Sequence, residues 1–454
     1  MCKLSEPKHN TSDDIDQNKS DGQITDIGAL FRAHKERYIE IYNPQKHEIK
    51  FIKDVSKCKT PALGGIVISC KNCKKKTNLY QSCGNNQCPK CQSIKRIQWQ
   101  DKLASKMLKC PYQHIIFTIP HELNYIAKGH PKLLYGVLFK AAWHTIERLA
   151  RDPENVGGTP GMTAVLHTFG SDLKHHIHLH TLVTFGGVSK DGKWVWPKRK
   201  NKIAPYRKIC STFKTNFIKE LERQLSQIAP VYYQTVKGLI NSTKEVRWCV
   251  HNTPPTAHTK VIEEYLGRYV CRIGVSNKKI QYDEKEQIVK MEYNDYKNQK
   301  PNEAAPKAIK QLDPIVSMRQ IMIHVLPPNF QKVRTYGIMT KSKSEKIKIN
   351  IPELIKENGQ TIRTLFQIVK ALLQIPDEEE IKCVSCQCTE SEIEIIKPDA
   401  EWYKKYICRE SKNKSPTQIP KIVSIHSNAS LRPGKSMVTI IKIKVEHAKS
   451  LIKS

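Results

Sequence analysis

Long apolar runs are absent from this 454-residue sequence, which has no stretch of about 18 or more apolar residues that could span a bilayer. The sequence therefore predicts that the chain is not an integral membrane protein. The N-terminus, MCKLSEPKHNTSDD, also lacks the apolar segment of a secretory signal. This second absence predicts a reducing, cytoplasmic compartment, in which the 15 cysteines need a role other than a disulfide framework.

Acidic residues are few, at 43 against 76 lysines and arginines, and the net charge is +33. Such a charge repels itself unless a polyanion neutralises it, so the composition predicts a nucleic-acid partner. Apolar residues make up 39% of the chain, which is too much for a wholly disordered protein. At about 150 residues per domain, the length predicts roughly three domains.

The sequence divides into four regions by composition and periodicity. Residues 1–26 are polar and predict a flexible tail, and 27–108 contain a helical pattern followed by six cysteines. Residues 109–345 alternate strand-like runs such as HIIFTIP with helical runs such as FIKELERQLSQI, which indicates an α+β domain, with α/β as the alternative. Residues 346–454 form a basic C-terminal region with a small cysteine cluster.

Two CxxC pairs, Cys70-x2-Cys73 and Cys88-x2-Cys91, stand fourteen residues apart. This spacing is typical of four thiolates that converge on one tetrahedral Zn²⁺. Four thiolates leave no open coordination position, so we expect a structural zinc within a small, basic DNA-binding module. Cys58 could join Cys83 as half of a second site, but no histidine lies between residues 58 and 91 to complete it.

The C-terminal region holds Cys383-x2-Cys386 and Cys388, which resemble half of a zinc ribbon without its partner. A metal there would need Cys408 or His426 as its fourth ligand. Unligated thiols in a reducing compartment are the alternative.

The run HHIHLHTLVT predicts a strand on which His178 and His180 share one face, because side chains alternate along a strand. If the hairpin formed with TAVLHTF is symmetrical about Leu173 and Lys174, His167 lies opposite His180 and supplies a third ligand. Neutral imidazoles with open positions suit a catalytic Mg²⁺ or Mn²⁺. Adventitious binding by a histidine-rich run is the alternative.

In VIEEYLGRYVCRIGVSN the apolar spacing predicts an amphipathic helix. Tyr265 and Tyr269 are four residues apart, so they lie about 40° apart around that helix and one turn along it. Both hydroxyls could enter one site. Core aromatics at the helix boundary are the alternative.

The order of these features is distinctive: a cysteine-rich module, HIIFTIP, LHTF, HIHLH with TLVTFGGVSKDGKW, EYLGRYVCRIGVSN and HVLPPNFQKVRTYG. Over residues 27–345 the chain closely resembles the IS91-family transposases, two-tyrosine enzymes of the HUH endonuclease superfamily. The resemblance implies an antiparallel nuclease sheet flanked by helices, with HIIFTIP as its first strand. It further implies that His178 and His180 bind the catalytic metal and that Tyr265 and Tyr269 are the nucleophiles.

Such an enzyme would nick and rejoin single-stranded or hairpin DNA ends through a 5′-phosphotyrosine, as in rolling-circle transposition. The resemblance also implies a nucleoid-associated protein of a prokaryotic cytoplasm. The segment WVWPKRK offers Trp194, Trp196, Lys198, Arg199 and Lys200 as an aromatic and basic strand-binding patch, with a solvated loop over buried tryptophans as the alternative.

The chain departs from the family pattern at three places. Ile66 and Gln87 occupy positions near which the family has histidines, Ile177 replaces a common proline, and no lysine stands near Thr253. Two other functions remain open from the sequence: a plasmid or phage replication initiator or relaxase with the same chemistry, and a non-catalytic, zinc-stabilised DNA-binding protein.

Overall fold

The computed structural model describes residues 23–24, 26–91, 99, 101–257, 274, 279–296, 298–300, 303–340, 351, 386 and 391–396. Its helices are α1 (Ile27–Tyr42), α2 (Lys46–Lys57), α3 (Asn124–Gly129), α4 (Pro131–Arg151), α5 (Tyr206–Ile228), α6 (Pro230–Glu245) and α7 (Pro314–Met322). Its longer strands are β2 (Gly65–Cys70), β3 (Lys76–Tyr80), β4 (Tyr112–Thr118), β5 (Gly161–Phe169), β6 (His175–Thr184), β9 (Val250–Asn252), β10 (Ile280–Asp283), β11 (Ile288–Asn294), β12 (Lys307–Leu312), β13 (Val333–Gly337) and β14 (Ser391–Ile396). The two-residue strands are β1 (Gln23–Ile24), β7 (Gly187–Val188) and β8 (Trp194–Val195).

Every strand pairing among the described residues is antiparallel, although groups of helices and groups of strands follow one another along the chain. The predicted α+β class is therefore confirmed. In the part of the chain that the structure describes, no helix has the length and apolarity needed to cross a bilayer.

The central sheet has five strands in the order β13-β5-β6-β4-β9. Alternating side chains such as Phe117, Leu166 and Leu179 are fully buried on one face, where they pack in one cluster with the apolar side of α4, α5 and α6. This face is the helix-covered side, and the period of two sends the intervening side chains to the opposite face.

That opposite face is divided into three zones along the strands. At one end Tyr112, Val165 and Leu182 pack with residues around Leu103 and with the segment that follows β13. At the other end Phe169, together with Leu173, joins a second cluster that contains the N-terminal helices. The histidines of the β5–β6 hairpin lie between these two apolar zones.

The N-terminal helices α1 and α2 form a hairpin whose apolar sides pack against α7 and against the four-stranded sheet β1-β10-β11-β12. Asp26 caps the N-terminus of helix α1, because its carboxylate accepts a hydrogen bond from the Gly28 amide at 2.8 Å. The hairpin β2–β3 follows and is joined on its other edge by β14, which gives a three-stranded sheet in the order β14-β2-β3. The C-terminal region therefore returns to the N-terminal module.

Candidate metal centres

Three buried histidines of the β5–β6 hairpin meet on the open face of the central sheet. His167 comes from β5, and His178 and His180 come from β6. The Nε2 atoms of His178 and His180 are 3.0 Å apart, and the His167 ring centroid is 4.7 Å from that of His180. One ligand atom from each residue lies within 4.8 Å of the others. The structure thus brings the three predicted ligands together.

The register of the hairpin differs from the expected symmetry. His167 lies opposite His178, not opposite His180, which pairs with Val165. The reason is the turn that begins at Gly170, in which Leu173 adopts a left-handed backbone with φ 61°. A register shift between His167 and Phe169 accompanies it. His167 still shares the face of the other two because the shift is by two residues.

Hydrogen bonds on the far side of each ring orient the two β6 histidines. The Nδ1–H of His178 donates to the carbonyl oxygen of His176 at 2.9 Å, which leaves Nε2 with a free electron pair. The Nδ1 of His180 lies 3.1 Å from Nε2 of His114 on β4, and these two rings stack. Sequence reasoning missed His114. The only signal for it was its position in HIIFTIP, two residues before Ile116, which lies directly opposite His180.

The donor set fits a divalent cation. Burial, with a smaller contribution from the nearby His176, lowers the pKa of His178 to about 4, so this ring is neutral at pH 7 and can act as a ligand. Two nitrogens bound to one ion at about 2.1 Å, with an angle of about 90° between them, lie about 3.0 Å apart, which matches the separation of the two Nε2 atoms. Asp172 is not in this group, and its carboxylate lies 3.3 Å from the ammonium of Lys174.

Four cysteines form a second group in the N-terminal module: Cys58, Cys83, Cys88 and Cys91. The Sγ atom of Cys91 is 2.9 Å from that of Cys58 and 3.4 Å from that of Cys83. The expected set of Cys70, Cys73, Cys88 and Cys91 is therefore not assembled. Cys58 directly follows α2 and Cys83 follows β3. The fold brings both to the Cys88–Cys91 pair, which the spacing of the two CxxC pairs could not indicate.

The four thiols of this group fit a tetrahedral zinc ion. Hydrogen bonding from Cys58, then from Cys83 and Cys88, lowers the pKa of Cys91, while the hydrogen bond with Cys58 raises the pKa of Cys88. Hydrogen bonding with Cys83 also lowers the pKa of Cys58, and the same bond raises the pKa of Cys83, so two of the four thiolates are favoured over the other two. A divalent cation would stabilise all four thiolates together, as closed structural zinc sites do.

Cys70 and Cys73 lie in a separate place, at the end of the β2–β3 hairpin. Their partner there is Cys386 of the C-terminal region, whose Sγ is 3.5 Å from that of Cys70. The half of a zinc ribbon that the sequence predicted around Cys386 therefore meets the Cys70–Cys73 pair. Cys383, Cys388, Cys408 and His426 lie outside the described residues.

Polar contacts join the segment that carries the four-cysteine group to helix α1 and to the HVLPPNF segment. The Gln87 side chain accepts from the Leu326 amide at 2.6 Å, and its Nε2 donates to the Leu326 carbonyl at 3.4 Å. The buried Lys90 ammonium, between the last two cysteines, pairs with Asp26 at 2.7 Å. His324 contacts the Thr168 hydroxyl at 3.1 Å and the Leu173 carbonyl at 3.0 Å. The motif HVLPPNF thus joins the cysteine module to the histidine hairpin.

The predicted strand-binding patch is divided in the structure. Trp194 packs against the apolar zone around Leu182, whereas Trp196 is 55% exposed. Lys198 pairs with Glu154 at 3.0 Å, and the Arg199 guanidinium donates to the Asn155 side chain at 2.9 Å. Lys200 lies in the same segment, after β8. Trp196 is therefore the aromatic side chain of this patch that a base could stack on.

Tyr265 and Tyr269 lie outside the described residues, but the chain is described on both sides of them. Gly274 packs so closely on the hairpin that a Cβ atom there would lie 2.4 Å from Leu173 Cδ2 and 2.8 Å from the Phe169 ring. The Phe169 ring in turn stacks on His167, with centroids 4.9 Å apart.

Comparison with known proteins agrees with this architecture. Residues 161–346 match a family model described as "Putative transposase", and residues 30–119 match one described as "Transposase zinc-binding domain". The chain is 30% identical over 329 residues to "Putative transposase y4qJ" of Sinorhizobium fredii, covering 69% of this chain and 80% of that protein. It is 24% identical over 352 residues to "Transposase for insertion sequence element IS801" of Pseudomonas savastanoi pv. phaseolicola, covering 75% and 82%. No solved structure matches the chain significantly.

Proposed function

Because the chain belongs to the IS91 family of transposases, with a zinc-binding domain at its N-terminal side, we propose that it moves DNA by nicking and rejoining single strands through a 5′-phosphotyrosine. The observation that carries this proposal is the buried cluster of His167, His178 and His180 on the open face of the central sheet. Family membership favours a transposase over a replication initiator or relaxase. A covalent-adduct assay distinguishes the transposase from the alternative of a non-catalytic, zinc-stabilised DNA-binding protein.

The nucleophile in this proposal is Tyr265 or Tyr269. The phenolic oxygen loses its proton and bonds to the phosphorus, and the bond from phosphorus to the 3′ oxygen breaks. The leaving oxygen takes up a proton and becomes a free 3′-hydroxyl. The energy of the phosphodiester is conserved in the phosphotyrosine, so a 3′-hydroxyl from another strand can attack it and release the tyrosine without ATP.

In the proposed reaction His167, His178 and His180 would hold a divalent cation such as Mg²⁺ or Mn²⁺ beside the scissile phosphate. That cation, when bound, supplies Lewis-acid polarisation of the phosphate oxygens. The chain's own part is positional: the backbone carbonyl of His176 and the ring of His114 fix the two β6 imidazoles, and the sheet keeps all three rings on one face.

The residues that flank the tyrosine segment support its place in this site. Thr256 exchanges two backbone hydrogen bonds of 2.9 Å with Tyr112, at the end of the sheet where the β6 partner is Thr184. Gly274 packs on Phe169 at the opposite end. The two flanking residues thus lie on opposite sides of the histidine cluster.

Affinity for DNA in this proposal comes mainly from the net charge of +33. The substrate is single-stranded or extruded as a hairpin, since a tyrosine reaches a phosphate displaced from regular duplex more readily. The exposed Trp196 offers a stacking surface for an unpaired base.

The test is incubation with labelled single-stranded element ends and Mn²⁺, followed by a denaturing gel for covalently shifted protein. We expect an adduct with the native chain, adducts with each single phenylalanine variant of Tyr265 and Tyr269, and none with the double variant. His178→Ala and His180→Ala should lose cleavage with DNA affinity nearly unchanged. Tyr296→Phe is the matched control, because Tyr296 is a surface tyrosine of the described sheet region with 62% exposure.

An adduct formed by the double variant would show that another residue is the nucleophile. A native chain that binds the element ends tightly but never forms an adduct would favour the non-catalytic DNA-binding protein.

A further inference from the structure

The C-terminal region contributes a cysteine to a site that the N-terminal module cannot complete by itself. Cys70 and Cys73 lie at the end of the β2–β3 hairpin, and Cys386 approaches Cys70 with an Sγ–Sγ distance of 3.5 Å. The three sulfur atoms lie within 4.8 Å of one another. We propose that these three cysteines bind a second structural zinc, which fastens the C-terminal region onto the N-terminal module.

The local backbone of the hairpin is arranged around a metal-binding turn. The Cys70 carbonyl accepts from the Lys74 amide at 3.0 Å, and the Cys70 amide donates to the Lys75 carbonyl at 3.0 Å. Lys74 takes a left-handed conformation with φ 56°, which a non-glycine residue adopts at a cost. This tight turn holds two thiols, from residues three positions apart, on the same side of the hairpin.

Strand β14 brings the third thiol to that turn. It pairs antiparallel with β2 over six residues, from Ser391 opposite Cys70 to Ile396 opposite Gly65. Cys386 precedes this strand by five residues. The C-terminal region therefore contacts the β2–β3 hairpin in two ways: through the pairing of β14 with β2 and through the sulfur contact of Cys386 with Cys70. The pairing spans a sequence separation of more than 300 residues, which costs loop-closure entropy that a metal ion would offset.

The chemistry of the donor set favours zinc over other cations. Thiolates are soft ligands, and a tetrahedral set of sulfur atoms is characteristic of structural Zn²⁺. The second zinc is distinct from the first, because Cys58, Cys83, Cys88 and Cys91 already form a complete four-thiolate group. The described residues supply three of the four ligands that a tetrahedral site takes.

The first test counts zinc per chain in the full-length protein purified under reducing conditions. We expect two zinc ions in the native chain and one in Cys386→Ser or Cys73→Ser. Cys210→Ser and Cys249→Ser are the matched controls, because neither cysteine belongs to a cluster among the described residues, and both should retain two. Cys383→Ser and Cys388→Ser, measured in the same way, identify the fourth ligand as the variant that also falls to one.

The second test does not depend on stoichiometry alone. The native chain and Cys386→Ser are loaded with Co²⁺, and the difference spectrum should show thiolate charge transfer and tetrahedral d–d absorption. A protease site is also introduced between residues 341 and 350. After cleavage, the C-terminal fragment should remain bound to the native module and separate from it in Cys386→Ser.

One zinc per native chain, or two in Cys386→Ser with an unchanged Co²⁺ spectrum, would overturn the proposal. The circular dichroism spectrum of Cys386→Ser, compared with that of the native chain, shows whether the variant has unfolded as a whole. Because DNA cleavage is not a readout here, the result is independent of the proposed strand-transfer activity.

Discussion

Among single residues, His114 is the side chain whose role depends most clearly on the structure. It approaches Nδ1 of His180 at 3.1 Å and lies on a different strand from the three clustered histidines. In the proposed metal site it is therefore a positioning residue, which would fix the ring of His180 so that Nε2 faces the cluster.

His114→Ala should reduce Mn²⁺ affinity or the cleavage rate by about 10- to 100-fold, as is typical when the outer partner of a metal ligand is removed. The measurement is the cleavage rate as a function of Mn²⁺ concentration, and excess metal should recover part of the loss. His176→Ala is the control, because its hydrogen bond to His178 runs through the backbone carbonyl and survives the substitution. Equal losses in both variants would assign no special role to His114.

Gly274 is a second residue whose identity is set by packing. A Cβ atom there would lie under 3.0 Å from Leu173 and from the Phe169 ring, so a methyl group must displace these side chains or the chain that leads to Gly274. The residue follows Tyr269 by five positions, which makes it a spacer between the proposed nucleophiles and the histidine hairpin.

Gly274→Ala should lower adduct formation by about 100-fold, because a displacement of about 1 Å between reacting groups has an effect of that size. The rate of adduct formation on a single-stranded end measures it. Gly238→Ala, in the middle of α6, is the matched control and should stay fully active, because an added Cβ there would meet no neighbouring atom within 4 Å. An unchanged rate in Gly274→Ala would contradict the proposed contact between the tyrosine segment and the hairpin.

At the scale of elements, the hairpin shows what the sequence could predict and what it could not. Because side chains alternate along a strand, the sequence predicted that His178 and His180 lie on the same face of the sheet, and the structure places them there. The register was wrong by two residues, because a turn can absorb extra residues in a left-handed conformation, as Leu173 does, and such a choice depends on what packs over it. Here Leu173 is buried against the N-terminal cluster, a contact made by residues distant in sequence.

Helix α1 and the four-cysteine group are joined by the ion pair of Asp26 and Lys90, in which the lysine side chain is only 6% exposed. Asp26→Asn retains a good helix cap but leaves this ammonium without its counter-charge. The free energy of unfolding should fall by about 3 kcal/mol, and zinc should be released faster to a chromogenic chelator.

Chemical denaturation of the two proteins side by side measures the loss. Glu154→Gln is the control, because it removes a solvent-exposed pair with Lys198 and should change stability by less than about 1 kcal/mol. Equal destabilisation by the two variants would show that the Asp26 pair contributes no more than a surface ion pair.

At the scale of the whole molecule, the cysteines show why spacing in sequence is an incomplete guide. Two CxxC pairs fourteen residues apart suggested one zinc, yet each pair finds its partners elsewhere: one with Cys58 and Cys83, the other with Cys386. Local spacing indicates which residues form a half-site. The spacing cannot predict the long-range pairing of β2 with β14, and that pairing decides which half-sites come together.

The net charge of the whole molecule predicts how DNA affinity depends on salt. A net charge of +33 places most of the DNA affinity in contacts with phosphates, which release counterions and therefore weaken steeply with salt. With about 6 to 10 such contacts, affinity for a single-stranded end should fall by about 300-fold to about 16,000-fold between 50 and 200 mM salt. His178→Ala changes only a buried ring on the sheet face, so it should show the same salt dependence as the native chain while cleavage is lost. Fluorescence anisotropy at several salt concentrations, with a parallel cleavage assay in Mn²⁺, measures both properties on the same oligonucleotide. A shallow slope for the native chain, or a weaker affinity of His178→Ala at every salt concentration, would mean that the metal site itself carries a large part of the binding.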